Sequence, residues 1–460
     1  MQKNLFYGSL MDMLDSKDPL VVLADTIKWS KFEDEFAQYY SKEGRPAKPI
    51  RLMVGLLLLK QLENLSDENV VIAWKRNPYF QYFCGFSDFQ TALPCHSTDL
   101  VYFRNRIGKK GFEFIFKHSI EIHSNENLNE SQVIADTTIQ ESNLTYPTDG
   151  KLAIKIINHL HKIVKVENIK LRRSYIKEIK QHRINLRFFR HPKKIIKAKA
   201  SMKRLRTIAK TILRDIDRKF GDNLELHNKY ATKFYLYIRV LLQEKNTKNK
   251  IYSLHEIDAY AVNKGKDHKG YEYGTKASVV TTKNSGIIVG VSAHRENEHD
   301  SKTLKLALEN TISNLGSKTI NEVICDRGYR GSKQIIINNE TVIDISIPSN
   351  LQKKDTTKQI NIKKEKFRRR AAIEPIIGHL KSDHRMQRNY LKGFIGDQIN
   401  LLLAATAFNL KKWMNIYFYA FFTGNLSLLK EAYQQLQHQK ELIMFLLQLK
   451  ITMKFSNLDY

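Results

Sequence analysis

Cysteine is scarce in this chain. Cys84, Cys95 and Cys325 are the three cysteines among 460 residues, and they are widely spaced. An odd number of distant cysteines provides neither a disulfide framework nor a paired zinc-binding motif. The sequence therefore favours a protein of a reducing compartment, and we expect a cytoplasmic location.

Long hydrophobic runs are also missing. The longest, IRLMVGLLLL at residues 50–59 and IYFYAFF at residues 416–422, fall short of the roughly 20 residues that a membrane-spanning helix needs. They predict buried helices instead. The start, MQKNLFYGSLMDML, has no sustained apolar core, so we expect no cleaved export signal. A hydrophobic content of 42% is enough for two or three folded domains.

Acidic residues are outnumbered. The chain has 47 of them against 76 lysines and arginines, which gives a formal net charge of +29. A positive field of this size attracts polyanions. We therefore expect a nucleic acid as the main partner.

Residues 1–125 carry helical patterns. PIRLMVGLLLLKQLENL has apolar residues at helical spacing, and Ser66 stands before the next helix as an N-cap. HSTDLVYFRNRIGKKG predicts a helix after Pro94 that ends in a basic tip. Short helices with basic, aromatic-rich ends form DNA-binding modules of the helix-turn-helix type. They also form helical packing or dimerisation domains, and the pattern leaves both interpretations open.

A β-rich pattern begins at residue 132. QVIADTTIQ predicts a buried strand with Asp136 near its end, and TKASVVTTKNSGIIVGVSAH predicts two strands joined by a turn at residues 284–286. Further on, SKTLKLALENTISNL predicts an amphipathic helix, NEVICD a strand that ends at Asp326, and TVIDISIPS one more strand. Strands that alternate with helices predict an α/β domain with a mixed sheet.

Residues 151–250 interrupt this pattern with a segment rich in lysine and arginine. Its Ile, Leu and Val residues recur at steps of three and four, so we expect a basic helical insertion in the sheet domain. Its charged faces either contact DNA phosphates or are simply solvated. The last residues, 411–460, again have an apolar helical pattern and predict a C-terminal tail.

Three carboxylates stand out by their positions. Asp136 and Asp326 lie at the ends of predicted strands, and Glu374 lies in the basic stretch RRRAAIEPIIGHLKSDHR. Two divalent ions about 4 Å apart assist the attack of an oxygen on a phosphodiester. Mg²⁺ prefers oxygen ligands, so such a trio suits a site for two Mg²⁺ or Mn²⁺ ions. Lysine and arginine do not ligate a metal while charged, so we expect the neighbouring cations to hold phosphates.

The spacing around Glu374 has a second consequence. Arg370, Glu374 and Lys381 share one face if residues 367–381 form a continuous helix. Pro375 disfavours helical geometry at the residue before it, so the alternative is a helix that starts or kinks there. In that case Arg370 need not face the metals.

These motifs together resemble the DDE transposases of bacterial insertion sequences, specifically the insertion-sequence-five group. The signature of that group is Tyr, two residues, Arg, three residues, Glu, six residues, Lys. FRRRAAIEPIIGHLK matches it, with Phe367 in place of the tyrosine. ADTTIQESNLTYPTD resembles the first-aspartate segment of the family, and HKGYEYGTKASV, HDSKTL and DRGYRG resemble its middle. The likeness spans about residues 50–410.

The resemblance implies a ribonuclease H-like core at residues 126–410, preceded by a helical DNA-binding domain. It implies that Asp136, Asp326 and Glu374 are catalytic acids that bind metal. The candidate DNA-contacting residues are Arg370, Lys381, Phe367, Arg327, Tyr329 and Arg330.

The implied partners are double-stranded DNA and a second copy of the chain. The implied reaction is cleavage at terminal inverted repeats, which exposes 3′ hydroxyls, followed by their attack on target DNA. The alternative is a catalytically inactive, transposase-derived DNA-binding protein.

Several residues allow competing interpretations. Asp300 in EHDSKTL is a rival for the second acid, but it precedes a helical run, and we favour an N-cap role. The three histidines nearby lack the compact spacing of a zinc site and are interpreted as loop residues: His268, His294 and His299. Three tyrosines either stack on extruded bases or pack in the core or its rim: Tyr271, Tyr273 and Tyr329.

Overall fold

The computed structural model describes residues 9–418, except 42, 44–45, 124–127, 245, 267–268, 317–319, 332, 339–340, 349–351 and 353–354. The chain divides into two compact units. The first consists of Met1–Ile107, Phe114–Asn127 and Thr406–Tyr460, and the second of Gly108–Glu113 and Leu128–Ala405. The first unit therefore combines the N-terminal helices with residues of the predicted tail. Residues 419–460, most of that tail, lie outside the described residues.

The N-terminal region is helical, as predicted. Its helices are α1 (Leu10–Met13), α2 (Pro19–Thr26), α3 (Trp29–Ala37), α4 (Ile50–Leu62), α5 (Asp67–Arg76), α6 (Pro78–Phe83) and α7 (Ser97–Glu121). Helix α4 is buried nearly all round, in agreement with its unbroken apolar run. The Ser66 hydroxyl caps α5 by accepting a hydrogen bond from the Asn69 backbone N–H at 3.1 Å.

Helix α7 is longer than predicted. The sequence pattern placed its end at the basic tip around residue 110, whereas the helix continues to Glu121 with a kink at Gly108, where φ is 57°. Glycine tolerates this left-handed conformation, so the chain bends there without ending the helix. The buried residues Phe112, Ile115 and Phe116 then resume the helical apolar spacing.

Within the described residues of the second unit, the strands form one mixed sheet. They are β1 (Gln132–Ser142), β2 (Tyr260–Lys266), β3 (Lys269–Thr282), β4 (Ile288–His294), β5 (Glu322–Ile324), β6 (Gln334–Ile337), β7 (Thr341–Ser346) and β8 (Arg388–Asn389). Their order is β2-β3-β1-β5-β7-β6, with β4 paired to β3 and β8 to β1. Strand β1 is antiparallel to β3 and parallel to β5, so the predicted mixed α/β sheet is confirmed. The predicted β3–β4 hairpin is also present, and its turn uses Gly286 at a φ of 62°.

Further helices follow β4 along the chain. They are α12 (Asp300–Leu315), α13 (Thr357–Ala371), α14 (Ile373–Ser382) and a last helix, α15, over residues 393–418. Helix α12 packs on β3 and β4, and α14 packs on β1. None of the described helices has the length and apolarity that a membrane crossing needs.

The basic insertion lies between β1 and β2 and has a core of its own, so the predicted helical insertion is confirmed. Its helices are α8 (Asp149–Val166), α9 (Ile176–Asn185), a short 3-10 turn (Leu186–Phe188), α10 (Ile195–Phe220) and α11 (Leu224–Leu242). Apolar residues of α8, α10 and α11 form one buried cluster, which includes Ile156, Leu160, Ile212 and Phe234. A segment with its own core holds its surface residues in fixed positions.

Candidate active site

The register of two parallel strands brings two of the predicted acids together. Ile134 of β1 pairs with Ile324 of β5. Asp136 and Asp326 each lie two residues further along, and the backbone is still extended at Asp326, with φ −80° and ψ −177°. Adjacent strands lie about 4.8 Å apart, and side chains two residues apart point to the same face. The two carboxylates are therefore neighbours.

The sequence pattern predicted Asp136 near the end of its strand. In the structure it lies in the middle of β1. Strand β5 stops pairing with β1 at Ile324, but β1 continues to Ser142 because its other edge pairs with β3, where Asp136 is opposite Val279. The end of β5 leaves one edge of β1 open beside Asp136. A pattern confined to one strand does not reveal where its partner ends.

A small apolar cluster anchors the third acid to the same place. Ile134, Ile324 and Ile373 pack together in the core, with Ile377 against them. Glu374 follows Ile373 directly, in the first turn of α14. All three predicted acids therefore lie within two residues of one buried isoleucine cluster.

Backbone N–H groups hold the first two carboxylates. The Thr137 N–H donates to Asp136 Oδ1 at 2.7 Å, and the Gly328 N–H donates to Asp326 Oδ1 at 2.8 Å. Asp326 thereby caps the short 3-10 helix Arg327–Tyr329. Both aspartates are half-buried.

Asp300 lies beside both of these acids, which sequence reasoning missed. The predicted N-cap role is wrong, because His299 caps α12 by accepting from the Ser301 N–H at 3.4 Å. The Asp300 carboxylate instead accepts from Thr137 Oγ1 at 2.9 Å. A Cβ on Gly328 would lie 3.0 Å from both Asp300 Oδ2 and Asp326 Oδ1. Asp300 therefore connects the segment of Asp136 with the segment of Asp326.

A buried lysine neutralises Asp300. Lys276 Nζ donates to Asp300 Oδ1 at 3.0 Å and to the Glu298 carbonyl oxygen at 2.6 Å. Burial, with the nearby Lys276 charge, lowers the pKa of His294 to about 4. His294 is thus a neutral, buried residue of β4 that bonds Ser278, and its interpretation as a loop histidine is wrong. His268 lies outside the described residues.

Tyr329 belongs to the core of this site rather than to its surface. The residue is 1% exposed, and its hydroxyl is buried without a hydrogen-bond partner among the described residues. Burial raises its pKa well above the usual value, and the charges of Cys325, Asp136, Asp300 and Asp326 raise it further. The expectation that Tyr329 contacts DNA is therefore wrong, because its ring is closed off from any base.

The helix does break near Pro375. Helix α13 ends at Ala371 and α14 begins at Ile373. Arg370 and Glu374 still face each other across the break, since Arg370 Nη2 donates to Glu374 Oε1 at 2.8 Å. This contact corrects the expectation that the neighbouring cations serve phosphates alone. The Arg370 Nε–H is buried and has no partner among the described residues.

The predicted acids do not form a metal site as they are arranged here. Within the described part of the chain, no three Asp, Glu, His or Cys side chains are placed to hold one metal ion. Carboxylate oxygens are the ligand type that Mg²⁺ prefers. The Glu374 carboxylate, however, is bonded to Arg370, so it does not complete a ligand set with Asp136 and Asp326.

The other predicted DNA-contacting residues surround this region. Arg327 and Arg330 are exposed on and after the 3-10 helix that Asp326 caps. Phe367 and Lys381 are half-buried on α13 and α14. Tyr271, 47% exposed on β3, also keeps a ring accessible. Contact of these residues with DNA stays a prediction.

Comparison with known proteins gives two family matches. Residues 8–106 match a transposase domain (DUF772), and residues 248–410 match a transposase DDE domain. Together the matched stretches cover more than half of the chain. The second match contains Asp326 and Glu374, whereas Asp136 and the helical insertion lie between the two.

One curated protein is similar to part of the chain. It is an uncharacterized protein of Rhizobium meliloti, ORF8 in the nfe locus, and it is 38% identical over 194 residues. The alignment covers 41% of this chain and 94% of that protein. No solved structure matches the chain at a significant level.

Proposed function

Because the chain belongs to the DDE transposases of insertion sequences, we propose that it cuts DNA at the ends of an insertion sequence and joins the freed 3′ ends to target DNA. The second unit has the ribonuclease H-like fold of that family. In this proposal the N-terminal helices recognise the terminal inverted repeats. Two ends must be joined in one event, so the active form is a homodimer on DNA.

The observation that carries the proposal is the convergence of three chain segments on one apolar cluster. Ile134, Ile324 and Ile373 pack together, and an acid follows each within two residues. Two of these acids, Asp136 and Asp326, each lie two residues beyond a paired residue of two adjacent parallel strands, Ile134 of β1 and Ile324 of β5. Acidic residues that come from distant parts of a sequence and follow one buried cluster are typical of a catalytic site.

The proposed chemistry consists of two attacks by oxygen on phosphorus. Water is the first nucleophile and releases a 3′ hydroxyl, and that hydroxyl is the second nucleophile when it attacks target DNA. No covalent intermediate with the enzyme is needed. We propose that the reaction depends on Mg²⁺ or Mn²⁺, which would stabilise negative charge on the attacking and leaving oxygens.

The side chains around the acids have separate roles in this proposal. Arg327, Arg330 and Lys381 hold the phosphates of the DNA strand near Asp136 and Asp326. Arg370 also binds a phosphate, which requires it to release Glu374. Lys276 and Asp300 are positioning residues, because they act through Thr137 and Gly328 rather than on DNA.

A reaction with purified protein tests this function. The substrate is a duplex that carries the inverted repeats flanking the gene, supplied with a target plasmid and Mg²⁺ or Mn²⁺. We expect nicks at the repeat ends with 3′ hydroxyls, followed by joined products. Binding without any cleavage contradicts the proposal and favours the inactive, transposase-derived DNA-binding protein. Cleavage without joining restricts the chain to a nuclease.

A further inference from the structure

Most of the chain's excess positive charge lies in the helical insertion. Residues 151–250 contain 29 lysines and arginines against 7 acidic residues. Neither family match covers residues 151–247, and the predicted catalytic residues lie outside the insertion. An excess of this size indicates a polyanionic binding partner for the insertion.

The carboxylates of the insertion neutralise a particular subset of its cations. The ion pairs with lysine and arginine are Glu178 with Arg173 and Arg204, Asp215 with Arg172 and Arg218, Glu167 with Lys229, and Asp149 with Lys250. The positive charge of the lysines and arginines outside this subset is not neutralised by an ion pair with a described carboxylate. Their distribution over the surface then indicates where a polyanion would bind.

Four of these remaining cations line one cleft. Lys151 and Lys155 project from α8, and Arg183 and Arg187 from α9 and the 3-10 turn after it. The cleft has a volume of about 510 Å³. Its other lining residues are Thr145, Thr148, Ile154, Asn158 and Leu186, so none of its lining residues is acidic. The four basic side chains form no ion pair with a described carboxylate.

This arrangement is unfavourable in the free protein. Lys151 and Lys155 are four residues apart on one helix, where like charges repel, and Arg183 and Arg187 are four residues apart on α9 and the 3-10 turn that follows it. Two such pairs meet across the cleft. The position is fixed by close packing, since a Cβ on Gly150 would lie 2.7 Å from Leu186 Cδ1. An anion in the cleft would replace this repulsion with attraction.

We propose that this cleft binds the phosphodiester backbone of one DNA strand. The choice of DNA among polyanions rests on the proposed function. The four cations contact phosphates, the hydroxyls of Thr145 and Thr148 donate to phosphate oxygens, and the apolar floor contacts sugar carbons. Thr145 and Thr148 lie on the segment that joins β1 to α8, so the cleft is connected directly to the strand that carries Asp136.

A quadruple substitution tests the proposal: Lys151→Gln, Lys155→Gln, Arg183→Gln and Arg187→Gln. The control removes four charges from the exposed face of α10, which lies opposite its buried face, with Lys199→Gln, Lys203→Gln, Lys210→Gln and Arg214→Gln. Both variants lose the same net charge, and none of the eight residues forms an ion pair with a described carboxylate. Comparison of the two variants therefore distinguishes DNA binding at the cleft from attraction of DNA by the overall positive charge.

The measurement is the dissociation constant of a terminal-repeat duplex, by fluorescence anisotropy over a series of NaCl concentrations and without divalent metal. The slope of log K against log salt changes by about 0.9 for each phosphate contact. We expect the cleft variant to reduce the slope by about 3, and the α10 variant by less than about 1. An equal reduction in both variants, or none in the cleft variant, overturns the proposal.

Two further measurements keep the outcome clear. If the quadruple cleft variant does not fold, as judged by circular dichroism, Arg187→Glu is compared with Lys210→Glu, because both positions are exposed. The second measurement repeats the binding assay with an RNA duplex of the same sequence. If the cleft variant weakens RNA binding more than it weakens DNA binding, the choice of DNA is overturned. The binding assay involves no cleavage, so a chain that fails to cut DNA still tests the cleft.

Discussion

Asp136 and Asp326 each lie two residues beyond a pair of aligned residues, Ile134 of β1 and Ile324 of the adjacent parallel strand β5. The pairing is set by the sheet, so the separation of the two carboxylates does not depend on a flexible loop. Functional groups held on rigid elements keep the geometry that a reaction needs. The consequence is that either acid can be altered without moving the other.

We predict that Asp326→Asn abolishes cleavage while DNA binding changes by less than about twofold, because the substitution keeps the shape and removes one charge. Gel electrophoresis of a labelled repeat duplex measures cleavage, and anisotropy measures binding. Asp344→Asn is the matched control, since Asp344 is an exposed aspartate on β7 of the same sheet. Cleavage by the Asp326 variant at the wild-type rate would remove this residue from the catalytic mechanism.

Gly328 gives a second test of the acid cluster. A methyl group there would lie 3.0 Å from both Asp300 Oδ2 and Asp326 Oδ1, so both carboxylates must shift. We predict that Gly328→Ala lowers the cleavage rate by at least about tenfold, since small displacements of reacting groups are costly. Its thermal stability should change little, because the backbone there does not need glycine.

Gly378→Ala is the control for Gly328→Ala. Gly378 lies on α14 with no atom within 4 Å of the added carbon, so the substitution should raise stability by about 0.5–1 kcal/mol and leave cleavage unchanged. Equal rates for the two variants would contradict the placement of the acids around Gly328.

Local sequence patterns predicted the helices and strands of the site better than the contacts between them. The strand of Asp136 follows from its β-branched run, and the shared face of Arg370 and Glu374 follows from a spacing of four residues, although their direct contact was not predicted. The alignment of Ile134 with Ile324 joins segments almost 200 residues apart. No local pattern specifies such a register, because it depends on the packing of the whole sheet.

Two errors had local causes. Asp300 was taken as an N-cap because aspartate is common there, but the preceding His299 has a ring nitrogen that accepts the same backbone bond. Tyr329 in DRGYRG was a candidate for DNA contact, with packing in the core or its rim as the alternative. The 3-10 turn that Asp326 caps directs the Tyr329 side chain inward, and the arginine side chains remain exposed.

The ion pair of Lys276 with Asp300 should be important for stability. Only 8% of the Lys276 side chain and 27% of the Asp300 side chain are exposed. We predict that Lys276→Met lowers the free energy of unfolding by about 3 kcal/mol, because it leaves the carboxylate without its cation. Urea unfolding measures the loss, and the double variant with Asp300→Asn should recover part of it.

Lys366 provides the comparison for Lys276. It pairs with Glu322, but 42% of its side chain is exposed, so Lys366→Met should cost less than about 1 kcal/mol. If both methionine variants cost the same, the buried pair contributes no more than a surface pair.

Asp397 should make stability depend on pH. Burial raises its pKa to about 6, although hydrogen bonds from Thr275, Asn389 and Gln140 oppose the shift. The folded state therefore holds a proton that the unfolded state releases near pH 4. The resulting stability is fully present below about pH 4 and falls by about 3 kcal/mol as the pH rises to about 6.

Asp397→Asn tests this dependence. The amide does not titrate, so the difference in unfolding free energy between wild type and variant should shrink or change sign between about pH 4 and 6. Urea unfolding at several pH values gives this difference. A difference that stays constant across the range would mean that the pKa of Asp397 is not raised in the folded protein.

Arg370 should control whether Glu374 can bind a metal ion. Its guanidinium holds Glu374 Oε1 at 2.8 Å, while 58% of the Glu374 side chain is exposed. If a DNA phosphate draws Arg370 away, Glu374 becomes available to join Asp136 and Asp326. We therefore predict that Arg370→Gln strengthens Mn²⁺ binding by the DNA-free protein roughly fivefold, which corresponds to about 1 kcal/mol.

The same variant should bind DNA less tightly, with a salt slope reduced by about 1, because one phosphate contact is lost. Calorimetric titration with Mn²⁺ measures the first effect, and anisotropy the second. Arg368→Gln, an exposed position two residues away, should leave Mn²⁺ affinity unchanged. If Arg370→Gln tightens Mn²⁺ binding and the added Glu374→Gln substitution does not reverse the gain, Glu374 is not the ligand that Arg370 masks.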